Sequence, residues 1–91
     1  MDLLLKDKVV LITASSKGIG KATAELFLKE GSKVVISSSN SANLEKASDE
    51  LKELTGTEPQ AIVCDINSKN DLTSIVKETN EKYGKIDVLV N

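Results

Sequence analysis

The sequence predicts the α/β class: part of a doubly wound parallel sheet, with strands one to four in the order 3-2-1-4. Two observations carry that expectation. Short runs rich in β-branched residues alternate with longer segments whose apolar residues recur at helical spacing, and the connections are long enough for right-handed crossovers. The first run, Val9, Val10, Leu11 and Ile12, is apolar at every position. A strand buried on both faces of a parallel sheet needs that pattern.

Strand one is expected over Lys8 to Ala14. From Gly18 to Glu30 the period becomes helical: Ile19, Ala22, Leu26 and Phe27 are expected on the inner side, with Lys21, Glu25 and Lys29 outside that stripe. Gly31 then supplies a helix stop. Strand two is expected over Lys33 to Ser38, around Val34, Val35 and Ile36. A polar stretch, in which Asn40 or Ser41 suits an N-cap, leads to a helix with Leu44, Ala47, Leu51 and Leu54 on one side. Ala61 to Asp65 is expected as strand three. The next helix opens as a capping box, in which Ser68 accepts from the amide of Asp71 and Asp71 reaches back. Leu72, Ile75, Val76 and Thr79 form its inner face and Gly84 follows its end. Ile86 to Val90 begins strand four, and Asn91 is the last residue.

Composition bounds the rest. With 91 residues, 40% hydrophobic and 29% charged, the chain can build one modest core and a single compact unit. A net charge of -2, no His and only Phe27 and Tyr83 as aromatics provide neither a basic surface nor a stacking platform, so no nucleic-acid partner is expected. Cys64 has no second cysteine to pair with and no metal-ligand cluster around it, and it is expected to be a small buried side chain in a reducing interior. The apolar run Leu3 to Leu5 is too short for a signal-peptide core and is followed by Lys6 and Asp7. No apolar run reaches the roughly 18 residues of a membrane span. A soluble, cytoplasmic protein is therefore expected, with no membrane partner.

Between strand one and its helix lies Thr13-Ala14-Ser15-Ser16-Lys17-Gly18-Ile19-Gly20, where a dinucleotide site in such a sheet should sit. Glycine lets backbone approach a pyrophosphate, and the following helix offers unpaired amides and the positive end of its dipole. Ser15, Ser16, Lys17, Gly18, Ile19 and Gly20 are the candidate contacts, with Gly18 and Gly20 foremost. Two glycines so spaced can also serve only close helix packing; a buried strand before them and an amphipathic helix after them favour the binding site. A P-loop is excluded, because Gly20-Lys21 would need Gly at position 15 and Ser or Thr at position 22, where Ser15 and Ala22 stand.

Over its whole length the chain resembles the short-chain dehydrogenase/reductase family. The family's phosphate loop reads TGxxxGxG, and Thr13-Ala14 through Gly20 is similar to it. Asp65-Ile66 resembles the acidic-plus-aliphatic pair that brackets the adenine, and Ile86 to Asn91 resembles the lead-in to the NNAG motif. Ala14 departs from the pattern, standing where the first glycine is usual; its methyl resists positive φ and narrows the approach of a phosphate. The resemblance implies a Rossmann-type fold and an NAD(P)-dependent oxidoreductase moving hydride between nicotinamide and an alcohol or carbonyl substrate; a homo-oligomer is expected as well, because Ile86 to Val90 would leave an open apolar edge. The resemblance also implies cofactor contacts at Asp65, Ile66 and Asn91, and a structural role for Thr13, tying the loop to the neighbouring strand. Fatty-acyl reductases and sugar or steroid dehydrogenases would look alike this far.

NAD-preferring sites place a carboxylate at the end of strand two, about 20 residues past the glycines, to bond the ribose hydroxyls. Here that stretch is Ser37-Ser38-Ser39-Asn40-Ser41, without an acid, and Ser38, Ser39 and Asn40 are candidate contacts. Lys17 adds a positive charge that can face a 2′-phosphate. Ser39 lacks the bidentate fork of an arginine there. NADP is accordingly expected over NAD, and the competing explanation leaves Lys17 solvated and the serines capping the next helix.

Family members use a Ser, a Tyr as general acid/base and a nearby Lys that lowers the tyrosine pKa. Tyr83, the only tyrosine, has Asp87 four residues later and does not match the Tyr-x-x-x-Lys pattern. Residues 1–91 are thus expected to be the N-terminal part of one dinucleotide-binding domain, inactive alone, with no catalytic or metal-ligating residue of its own. Two other readings remain: a non-catalytic module that senses the dinucleotide, and a methyl-donor site, against which the serines after strand two argue.

Overall fold

The architecture, seen in a computed structural model that describes residues 4–91, follows from how each strand buries its two faces. Leu3, the first residue of the early apolar run, lies outside the described residues. Among these, β1 (Val9–Ile12), α1 (Gly18–Lys29), β2 (Lys33–Ser38), α2 (Ser41–Thr55), β3 (Gln60–Val63), α3 (Lys69–Tyr83) and β4 (Val88–Val90) follow one another. The strands form one parallel sheet in the order β3-β2-β1-β4, as expected.

β1 is central. Val10 lies opposite Val34 of β2 on one side and Val88 of β4 on the other. The pleat sends Val10 and Ile12 to the same core as Val34, Ile36, Ala24, Leu28, Leu44, Ala47 and Leu51, so α1 and α2 share one face. Leu11 and Val35 point the other way, to Cys64 and Ile75, with Leu72, Tyr83 and Ile86 half-buried around them. α3 therefore covers the opposite face alone. All four residues of β1 are buried, in line with the continuous apolar run.

The helix faces depart from the apolar count. Ile19 is 87% and Leu26 58% exposed, and Ala22 is exposed as well, so three of the four residues expected on the inner side of α1 face out. The buried stripe runs instead through Ala24 and Leu28, with Gly20 and Phe27 half-buried beside it. Small residues set this rotation, because Gly20 and Ala24, four apart, let α1 lie close to the sheet, whereas the larger Ile19 and Leu26 dominate a count by hydrophobicity. Leu54 of α2 and Val76 of α3 are exposed as well, contrary to expectation, while Leu44, Ala47, Leu51, Ile75 and Thr79 are buried as expected.

The helix ends are chemically explicit. Gly31, at φ 85°, turns the chain out of α1, and the Ser32 amide donates back to the Phe27 carbonyl (3.0 Å). Asn40 caps α2, its Oδ1 accepting from the Asn43 amide (2.9 Å). Ser68 caps α3 by accepting from the Asp71 amide (3.2 Å), but Asp71 does not complete the capping box. Its Oδ2 accepts instead from the Asp65 amide (2.9 Å), because the turn after β3 brings that donor within reach.

Among the described residues β4 pairs only with β1, leaving Leu89 53% exposed at the edge of the sheet. Its lower end is held by Asp87: the Val9 amide donates to Asp87 Oδ2 (2.8 Å), the Asp87 amide donates to the Val9 carbonyl (2.9 Å), and Lys85 lies 3.1 Å from the same carboxylate. The Val9 amide first, and Lys85 after it, hold the Asp87 carboxyl below its usual 3.8. A carboxyl whose folded value is depressed stabilises the fold above its ordinary value, and that contribution is lost as pH falls through the folded one. Asp87→Asn keeps an acceptor for Val9 but loses the charge. Its urea midpoint should fall below that of the wild type at pH 7, and the gap should narrow as pH is lowered below 3.8; an unchanged gap would show that the charge contributes nothing.

Candidate cofactor site

The C-terminal ends of the strands converge on the loop between β1 and α1. The Thr13 amide donates to the Val90 carbonyl (2.9 Å), and its hydroxyl lies 3.3 Å from both that carbonyl and Asn91 Oδ1. Thr13 thus ties the loop to β4, the structural role expected of it. On the other side, the Ser15 amide donates to the Ser37 carbonyl (2.8 Å), while the Ser15 hydroxyl donates to the Ile12 carbonyl and accepts from the Ser37 amide, each at 2.9 Å. Ser15 is fully buried, with amide and hydroxyl both engaged within the protein. It is a strut between β1 and β2, and these bonds occupy the amide and hydroxyl that the expected cofactor contact would use.

Two backbone conformations shape the loop. Ala14 has φ 51° and Gly18 φ 60°, both in the left-handed region. Gly18 meets open space where a Cβ would stand, so its glycine serves the conformation alone. Gly20 serves close approach: a Cβ there would lie 2.9 Å from the Ala14 carbonyl oxygen and from Ser15 Cα. The first turn of α1 therefore presses directly on the loop backbone. Its N-cap, Lys17, makes no side-chain cap, and no acid lies in its first turn, whereas α2 and α3 are both capped by side chains. Uncapped amides at the positive end of a helix dipole suit an anion.

Two cavities flank this turn. One, of about 300 Å³, lies at the ends of β1, β2 and β3 and brings together Ser16, Lys17, Ser38, Ser39 and Ile66 of the expected set. Ala14, Cys64 and Asn67 complete its wall. The other, of about 420 Å³, lies across the Ser16–Lys17 ridge, between Gly18 and Lys21 of α1 and Asn43, Lys46, Ala47 and Glu50 of α2. Lys21 and Glu50 form an ion pair across it. That bond, more than the neighbouring lysine charges, holds the Glu50 carboxyl below its usual 4.5.

Other expected residues take different positions. Ile19 projects into solvent and lines neither cavity. Asn40 spends its Oδ1 on the α2 cap. Asp65 is exposed beside the first cavity without lining it; its Oδ1 accepts from the Asn67 amide (2.9 Å), forming a tight turn. Asn91 stays beside Thr13 at the end of β4. Cys64 was expected only as core, and it is 1% exposed. Burial first, then the Asp71 and Asp65 charges, push its thiol above its usual value, which disfavours the thiolate. The signal for Asn43, Lys46 and Glu50 was present as helical spacing, but it acquires meaning only once α2 packs beside α1.

The loop geometry predicts opposite effects at two positions. Gly20→Ala must displace loop backbone and should destabilise the fold by about 1–3 kcal/mol. Ala14→Gly relieves a left-handed alanine and should stabilise it by about 0.5–1 kcal/mol after the entropy of the more flexible unfolded chain is counted. Urea unfolding of both variants checks the pair; equal effects of one sign would contradict this loop.

Comparison with known proteins agrees with this geometry. Short-chain dehydrogenase/reductase SDRA of Arabidopsis thaliana is 41% identical over 86 residues, 94% of this chain and 34% of that protein. The 3-oxoacyl-acyl-carrier-protein reductase FabG of Thermotoga maritima is 38% identical over 87 residues, 96% of this chain and 35% of its own length. The crystal structure of L-sorbose reductase from Gluconobacter frateurii, complexed with NADPH and L-sorbose, superposes with a TM-score of 0.90 at 35% identity, covering 100% of this chain and 35% of that one. The chain thus spans about a third of the length of the relatives it matches. A sequence model described as short chain dehydrogenase matches residues 8–91. With the parallel sheet, the glycine turn and these likenesses in agreement, the chain belongs to the short-chain dehydrogenase family.

Proposed function

We propose that this chain is the cofactor-binding portion of an oxidoreductase that transfers hydride between NADP(H) and an alcohol or carbonyl substrate. The observation that carries the reading is the turn from β1 into α1, where Gly20 allows backbone contact closer than any side chain would and the first helical amides lack a side-chain cap. In this reading the amides around Gly18 and Gly20 hold the pyrophosphate, and the cavity bounded by Ser16, Ser38, Ser39 and Ile66 holds the adenosine. Ile66, half exposed, offers an apolar surface to the adenine, with Asp65 beside it in the chain, while Asn91 stands at the end of β4. The nicotinamide, when bound, supplies or accepts the hydride.

Preference for the 2′-phosphate form rests on the end of β2. Ser38 and Ser39 line the cavity with hydroxyls, and no carboxylate stands there to repel a phosphate, while Lys17 reaches the same cavity from the loop. The L-sorbose reductase, similar throughout the superposed region, was solved with NADPH. Tyr83 lines a cavity at the opposite, N-terminal end of the strands, beside Gly31, Ser32 and Lys33 and away from the glycine turn. With Tyr83 so placed and no Tyr-x-x-x-Lys pattern in these residues, the purified chain with NADPH should reduce no carbonyl.

Titrating NADPH into isotope-labelled protein should move the amide resonances of Gly18 and Gly20, with NADPH binding more tightly than NADH. A folded sample in which both glycines ignore both nucleotides would end the proposal. A stable monomer that binds NADPH tightly would favour the sensing module instead.

The β4 edge, with Leu89 exposed, is proposed as a self-association surface, since an open apolar edge strand is a template for pairing. Sedimentation should show oligomers that Leu89→Lys disperses; a wild-type monomer at high concentration would refute this.

A further inference from the structure

The end of β2 carries Ser39 and no cation, and all 12 basic residues of the sequence are lysines. A phosphate on the ribose must therefore find its positive partners elsewhere. The groove between α1 and α2 adjoins the strand-end cavity directly, because Ser16 and Lys17 line both. Into that groove α2 brings Asn43 and Lys46, three residues apart and so on one side of the helix.

The charges facing the groove are Lys17, Lys21, Lys46 and Glu50. Lys21 and Glu50 neutralise each other across α1 and α2. Lys46 approaches the other Glu50 oxygen only to 4.0 Å, and its side chain is 78% exposed. An exposed pair at that distance is worth little, so Lys46 can exchange it for a dianion at small cost. Lys17 stands exposed on the ridge between the two cavities. The groove thus holds two lysines, Lys17 and Lys46, available to one anion, with Asn43 also on its wall.

We propose that this groove receives the 2′-phosphate of the dinucleotide, and that Lys46, assisted by Asn43, is the specificity-determining residue contributed by α2 in place of a cation at position 39. The proposal rests on the reading that the strand-end cavity holds the adenosine. A 2′-hydroxyl carries no charge, so NADH is indifferent to Lys46. A 2′-phosphate entering across the Ser16–Lys17 ridge meets Lys17 from the loop and Lys46 from α2.

The test is titration of NADPH, NADH and adenosine 2′,5′-bisphosphate into the wild type and Lys46→Met. Adenosine 2′,5′-bisphosphate isolates the phosphate from the nicotinamide. Met preserves the helix propensity and the length of the side chain at an exposed position, so folding is retained. Lys46→Met should weaken NADPH and adenosine 2′,5′-bisphosphate about tenfold, the loss of one charge-assisted contact, and leave NADH unchanged. Asn43→Ala should act in the same direction and less strongly. Unaltered NADPH binding by Lys46→Met, or an equal loss for NADH, would overturn the role of Lys46 while leaving the dinucleotide site intact. Failure of the folded wild type to bind any of the three nucleotides would overturn the site itself.

Discussion

The close approach of α1 to the loop after β1 is the constraint on which the rest of this structure depends. At Gly20 the separation leaves no space for a single methyl group, with a carbonyl oxygen and an α-carbon each 2.9 Å from where it would stand. That contact sets the rotation of α1 about its axis, and the rotation chooses Ala24 and Leu28 as the residues that meet the sheet. It also aims the uncapped first turn of the helix at the ends of the strands. Packing and anion affinity are thus two results of one missing side chain.

Around that contact the loop is held rigidly from both sides. Thr13 bonds to the end of β4, and Ser15 fills the gap between β1 and β2 with a hydroxyl that donates to one strand and accepts from the other. Buried and fully partnered, Ser15 is costly to remove, since a hydrophobic replacement would orphan the Ser37 amide. The left-handed conformation of Ala14 persists because these bonds leave the chain no other path. A loop so braced presents its amides in place before any ligand arrives, which lowers the cost of ordering on binding.

The two faces of the sheet are unequally served. α1 and α2 enclose a continuous core over one face, joined at the surface by the Lys21–Glu50 pair. α3 alone covers the other, where Leu72, Tyr83 and Ile86 are only half-buried, and β4 has one neighbour. Among the exposed apolar residues, Val76 and Leu89 mark where cover is thin, whereas Ile19 and Leu26 face out because Gly20 and Ala24 hold the inner side of α1. They also explain why counting apolar residues along α1 chose the wrong stripe, for it weighs each residue by its size and not by what stands opposite.

Sequence alone determined the order and type of the elements, because a strand buried on both faces and an amphipathic helix leave different periods along the chain, and Val9 to Ile12 or Leu44 to Leu51 admit no other reading. It also located the glycine turn, since Gly18 serves the backbone conformation and Gly20 a close approach to Ala14 and Ser15 in the same short loop. The tertiary structure decided which side of α1 faces in, that Ser15 is a strut and Asn40 a cap, and that Lys46 lies across a groove from Lys17. Those outcomes depend on which surfaces meet after the chain has crossed the sheet, and a distance between residues far apart in sequence is not written in the pattern of either one.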